Sequence, residues 1–156
     1  MSLRSFVPLV LLASGAGCAS STREAIADPA REIRTAFDSL VAAVVRLDVP
    51  ATLAAYDTSA AFLHTSDGAV VRSGAANRRR VETMFPGLRA VRDAVIDSTH
   101  VNLLNADAGV LVASFRETLV DTSGTALPIR GVWTTVFQRQ PTGWKVISEH
   151  VSHLPQ

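Results

Sequence analysis

Two histidines, His150 and His153, stand three residues apart in the closing stretch "GWKVISEHVSH" (Gly143 to His153), which holds half of the chain's four. Imidazoles at short spacing raise three chemistries: a shared metal ion, acid–base work near neutral pH, or hydrogen bonding within a sheet. The stretch reads as a strand, and on a strand residues three apart point to opposite faces, so the two rings should not converge on one ion. No Cys or Glu is placed to complete a zinc-like set, and "HVSH" matches no helical zinc motif, so no metal is expected. His153 reads as a solvated residue near the terminus. His150 stays open as either a partly buried histidine bonded to Ser152 or a backbone group, or a functional one. No phosphate loop, nucleophile elbow or Cys/His pair accompanies them, and no cofactor is expected.

The elements that must position these residues follow from spacing. Asp28 and Pro29 have the chemistry of an N-cap and a first helical position, and Ile33, Phe37, Leu40, Val41, Val44 and Leu47 form one apolar stripe behind them. Asp48 and Pro50 stop that helix and start a short second one over roughly 50–56, ending near Tyr56. "AAFLHTSDGAVVRSG" (60–74) predicts a hairpin about Ser66-Asp67-Gly68. A third helix is expected over about 75–85, closed by Pro86-Gly87. From Val91 onward, long strands alternate with the turn clusters "NADAG" (105–109), "DTSG" (121–124) and "QPTG" (140–143), which predicts a four-stranded meander. Helices first and strands afterwards imply an α+β domain, with helices on one face of a curved sheet.

Simple turns would set the strand register. With Arg139 facing Trp144, Trp133 sits opposite His150; with Val120 facing Thr125, Arg116 pairs with Ile129 and Ser114 with Gly131. One face then gathers Ser114, Arg116, Trp133, Thr135 and His150, and the other carries Phe115, Glu117 and Glu149. A bulge in either hairpin would flip part of this map.

The N-terminal residues carry a different message. Arg4 followed by "FVPLVLLA" (6–13) is a positive start before an apolar run too short to span a bilayer, and "SGAGC" then ends at Cys18, the only cysteine. This resembles a bacterial lipoprotein signal in which the cysteine becomes the lipidated first residue, although Gly15 stands where such signals carry leucine; an ordinary secretory signal is the alternative. Residues 1–18 are therefore expected to be the signal, 19–27 a tether and 28–156 the domain, exported to the cell envelope and held to a membrane through Cys18. Across the 156 residues, 15 Lys+Arg stand against 14 Asp+Glu, a balance that argues against nucleic acid as a partner.

The segment "GVWTTVFQRQPTGWKVISEHVS" is similar to the closing hairpin of SnoaL-like domains in the nuclear transport factor 2-like superfamily, and to the association domain of calcium/calmodulin-dependent kinase II. The matching positions are Thr134, Val136, Phe137, Trp144, His150 and Ser152. The strand "ASFRETLVD" resembles the same association domain, whose pocket arginine would correspond to Arg116. The resemblance spans about residues 28–153. It implies a cone with a pocket on the concave sheet face, which Arg116 should mark, and a homodimer through the outer face. On that footing Arg116, Trp133, His150, Ser114 and Tyr56 are the ligand-binding candidates, with His150 the candidate catalytic residue; Arg116 has the alternative of an ion pair with a helix carboxylate such as Asp38. Tyr56 suggests the isomerases of this fold, but the register places no acid beside it. His64, in the first hairpin, could reach the pocket but reads more readily as a surface or rim residue, and Arg78 to Arg80 as a solvated helix face. The expected function is binding of a small, mostly apolar ligand with a polar or anionic head. The alternatives are an isomerase, cyclase or hydrolase using His150 with Arg116, or a non-catalytic envelope assembly module.

Overall fold

The computed structural model describes residues 28–154. The signal, the tether and Cys18 lie outside the described residues. Helix α1 (Pro29–Val45) begins where the Asp28 carboxylate accepts a hydrogen bond from the Arg31 backbone N–H at 3.1 Å. Its stripe of Ile33, Phe37 and Leu40 is fully buried. Leu47, at a φ of 53°, turns the chain into α2 (Val49–Ala54), which Asp48 caps through the Ala51 N–H at 3.0 Å. Strands β1 (Leu63–Ser66) and β2 (Ala69–Arg72) close on Asp67 and Gly68, both at positive φ, as a two-residue hairpin turn of this hand requires. Helix α3 (Gly74–Met84) runs into a single 3-10 turn, Phe85–Gly87. The meander then follows as β3 (Leu88–Asn105), β4 (Ala108–Asp121), β5 (Ala126–Gln140) and β6 (Gly143–His153).

All six strands form one sheet in the order β2-β1-β6-β5-β4-β3. Every neighbouring pair is antiparallel except β1 with β6, which lie parallel and set His64 beside Glu149. α1 lies across the concave face, where Phe37 meets Trp133 edge-on at 5.2 Å between ring centroids. Leu111, Ala113, Phe137 and Val146 complete that core from the sheet. The α+β order read from the chain is the order observed.

The face map is not, because both hairpins depart from simple register. At the β4–β5 turn the Asp121 carboxylate accepts from the Thr125 N–H at 2.8 Å, and the Asp121 N–H reaches the Thr125 carbonyl at 3.0 Å. That loop takes in Thr125, so Val120 faces Ala126, Ser114 faces Val132 and Arg116 faces Arg130. In the last hairpin Arg139 does face Trp144, but a bulge leaves Ile147 unpaired between Val146 and Ser148. Beyond it Trp133 faces Val151 rather than His150. Trp133 and Thr135 therefore change sides and join Phe115, Glu117 and Glu149 under the helices, while Ser114, Arg116 and His150 stay together on the outer face.

Candidate functional site

Under α1 the sheet and the helices enclose a cavity of about 200 Å³. Val41, Val44, Val91, Phe115, Ile129 and Val151 give it apolar walls. One end is polar, and its centre is Glu149 on β6, with a side chain only 1% exposed. The Glu149 carboxylate takes hydrogen bonds at both oxygens. His64 Nδ1 lies 2.7 Å and Arg80 Nη2 3.4 Å from Oε1, while the Tyr56 hydroxyl at 3.0 Å and Trp133 Nε1 at 2.9 Å donate to Oε2. A buried carboxylate without donors would be strongly destabilising; four donors, one of them a guanidinium, offset its desolvation.

Each partner arrives from a different element. Tyr56 follows α2 and its backbone bridges to Val146 on β6. His64 comes from β1 through the parallel pairing. Arg80 comes from α3, whose buried Asn77 and Val81 mark the inward helix face; Asn77 Oδ1 accepts from Arg80 Nε at 3.0 Å and aims the guanidinium. Burial pushes the Tyr56 phenol well above its ordinary range and the neighbouring Glu149 charge adds to this, so Tyr56 remains a proton donor. With Nδ1 engaged by Glu149, the Nε2 edge of His64 is the part left to meet a ligand. Thr52, 2% exposed, also lines the cavity, and its hydroxyl has no hydrogen-bond partner among the described residues.

The structure brings together two of the residues expected at a site, Tyr56 and Trp133, and separates three others from them. His150 is exposed on the outer face, bonded through Nδ1 to the Thr65 hydroxyl at 2.7 Å. Ser114 shares a hydrogen bond with Ser98 at 2.7 Å. Arg116 touches only the cavity rim, and its Nε holds Asp97 at 3.1 Å, so its ion pair is with β3 rather than a helix. The register shifts carry Trp133 away from these three, and α1 packs on the other side of the sheet, that of Leu111, Ala113 and Phe137. The two closing histidines do diverge, as strand alternation requires; His153 reaches the cavity mouth, where Asp67 holds its Nδ1.

Glu149, Arg80 and Thr52 were not among the residues expected at the cavity, and His64, read more readily as a rim residue, is the one that reaches it. An acid does stand beside Tyr56, contrary to expectation, because the Ile147 bulge leaves Glu149 on the concave side. Arg80 is not a solvated member of its basic run. A signal for it existed, since Asn77, Arg80, Val81 and Met84 follow the i, i+3, i+4, i+7 spacing of a buried helix face. For His64 no local signal existed, because its neighbour is 85 residues away across a parallel pair.

A helix-flanked cone with this strand order can be compared with known proteins. The SnoaL-like domain profile matches residues 33–156. The chain belongs to the SnoaL-like family. Solved structures similar to this SnoaL-like domain include a nuclear transport factor 2-like superfamily protein from Salmonella enterica, at 16% identity and a TM-score of 0.73 over 82% of this chain and 92% of that one. A ketosteroid isomerase-like protein from Erwinia carotovora is similar at 17% identity and a TM-score of 0.71, over 83% and 98%. A Xanthomonas campestris protein named for the calcium/calmodulin-dependent protein kinase II association domain reaches 23% identity and a TM-score of 0.68, over 81% and 88%. At these identities the likeness is one of fold. No curated protein matches the chain.

Proposed function

We infer that this SnoaL-like domain binds a small, mostly apolar ligand within its cone, with a neutral polar head, a hydroxyl or a carbonyl, at the Glu149 end. The observation that carries this is the contrast inside the cavity: apolar walls lead to one polar end where His64, Arg80 and the unpartnered Thr52 hydroxyl line the space. The head is neutral by charge balance, because the Arg80 cation is already opposed by the Glu149 carboxylate. An anionic head would add a second negative charge to a desolvated site.

Calorimetric titration with n-octanol and 2-octanone tests this. His64→Ala is expected to weaken binding about tenfold, the worth of one hydrogen bond in a dry site. Ile129→Trp, which fills the channel from β5, is expected to abolish it. Binding that survives Ile129→Trp in a folded protein would place the ligand elsewhere.

The 2.7 Å contact between Glu149 and His64 Nδ1 supports a second reading, turnover by proton transfer. Glu149 would hold the imidazole with Nε2 as the base, and the guanidinium of Arg80 would face the oxygen of an enolate. The isomerase-like name of the Erwinia protein suggests the same reaction class. Exchange of the 2-octanone α-protons in D2O, lost in His64→Ala, would favour this reading; exchange no faster than in buffer would leave binding alone.

A further inference from the structure

The opposite end of the cavity carries a carboxyl that nothing in the fold uses. Glu117 on β4 lies on the concave face, two residues beyond Phe115 and paired across the sheet with Ile129. It lines the main cavity and also the shallower groove continuing outward past Arg130 and His153. Six residues along β4 separate it from Leu111, whose β5 partner Thr135 faces Glu149. At about 3.3 Å per residue that is roughly 20 Å, so the two carboxyls belong to opposite ends of the space.

Their surroundings differ as much as their positions. Glu149 has four donors, whereas Glu117 has no hydrogen bond or ion pair among the described residues. Burial holds its carboxyl above the ordinary glutamate range, and the one opposing influence is the charge of His153. That imidazole is itself held by Asp67. The cavity's two guanidiniums are likewise committed, Arg80 to Glu149 and Arg116 to Asp97. Among the described residues the main cavity therefore holds one uncompensated acid and no uncommitted guanidinium. In the outer groove Arg130 and Asp93 add one charge of each sign, and Arg130 lies on the alternate side of β5 from Ile129, the cross-strand partner of Glu117. A half-buried carboxyl without a partner is costly in the empty domain, and a donor brought by the ligand would offset that cost. A protonated amine does so best, because its hydrogen bond to a carboxylate is charge-assisted and about twice as strong as a neutral one.

We propose that Glu117 is a ligand-recognition residue at the mouth of the cone, and that the ligand class it selects is an apolar amine, held as an ammonium with its hydrocarbon body along Phe115 and Ile129. This rests on the reading that the cone binds small apolar ligands, and it adds a polar requirement at the outer end.

The test uses three probes with one hydrocarbon body, n-octylamine, n-octanol and n-octanoate, titrated calorimetrically near neutral pH into the wild type, Glu117→Gln, Ile129→Trp and the surface control Glu82→Gln. Glu82 faces solvent beside Arg78, so its substitution removes the same charge away from the cavity. The wild type should bind octylamine about tenfold tighter than octanol, with octanoate weakest. Glu117→Gln should erase the preference for the amine over octanol, whereas Glu82→Gln should preserve it. An amine preference that persists in Glu117→Gln, is lost equally in Glu82→Gln, or is absent from the wild type overturns the assignment of Glu117. In those cases the cone reading still stands, provided Ile129→Trp abolishes binding of the probes. If no probe binds the wild type, or Ile129→Trp leaves binding intact, the cone reading fails and the proposal with it.

Discussion

Glu149 and Glu117 are the same residue type on the same sheet face, and their environments give them opposite parts. Glu149 is tied to Tyr56, His64, Arg80 and Trp133, so it orients its neighbours and fixes which edge of the His64 ring meets the cavity. Glu117 is governed chiefly by burial, which outweighs the opposing charge of His153 and favours the protonated form in the folded chain. A carboxyl raised in this way costs nothing below the ordinary glutamate range and destabilises increasingly as pH rises through that range. Asp67, held by His153, and Glu32, held by Trp144 and Arg139, have the reverse sign. Their stabilisation is present above the ordinary carboxylate range and is lost on acidification. Glu117→Gln should accordingly raise the melting temperature by a few degrees at neutral pH and by almost nothing near about pH 3. Thermal unfolding followed by circular dichroism across that range would show it. An equal shift at both ends would mean that the effect is packing rather than charge.

Among the elements, the hairpins decide the site more than the helices do. The N-caps at Asp28 and Asp48, the apolar stripe of α1 and the turn clusters of the meander are local features. Each element lies within two or three residues of where its sequence signals place it, the start of β3 at Leu88 rather than Val91 being the largest difference. Register is different, because one extra loop residue or one bulge moves alternate side chains to the other face. The backbone around β5 tolerates little: a Cβ at Gly131 would lie 2.1 Å from the Ser152 carbonyl oxygen and 3.2 Å from Phe115. Gly131→Ala must therefore push β6 away from β5 at the end that carries Val151 and Ser152. A loss of about 1–3 kcal/mol is expected in urea unfolding, the usual cost of forcing atoms into a packed site. An unchanged midpoint would show that the strand pair opens there freely.

No described helix is long and apolar enough to cross a membrane. The proposed anchor is the lipidated Cys18 that follows the short apolar run from Phe6 to Ala13. Full-length protein expressed in a bacterial host should fractionate with membranes, and Cys18→Ser should release it to the soluble fraction. Retention of the variant on membranes would exclude the lipid as the tether.

What the sequence by itself determined was whatever depends on neighbours in the chain: helix starts from Asp and Pro, strand limits from Gly, Asn and Asp clusters, and a family resemblance carried by the final hairpin around Trp144. The tertiary structure alone decided which of the residues with chemical potential meet. Arg116 and His150 looked like a pocket pair because the family resemblance put Arg116 on the concave face and simple turns put Trp133 and His150 beside it. The Thr125 loop and the Ile147 bulge return Trp133 to the concave face, where it joins the proposed site around Glu149, His64, Tyr56 and Arg80. His64 meets Glu149 only through a parallel pairing of the first strand with the last. Strand alternation has a period of two, so face assignment turns on single-residue offsets that loop geometry sets and composition does not reveal.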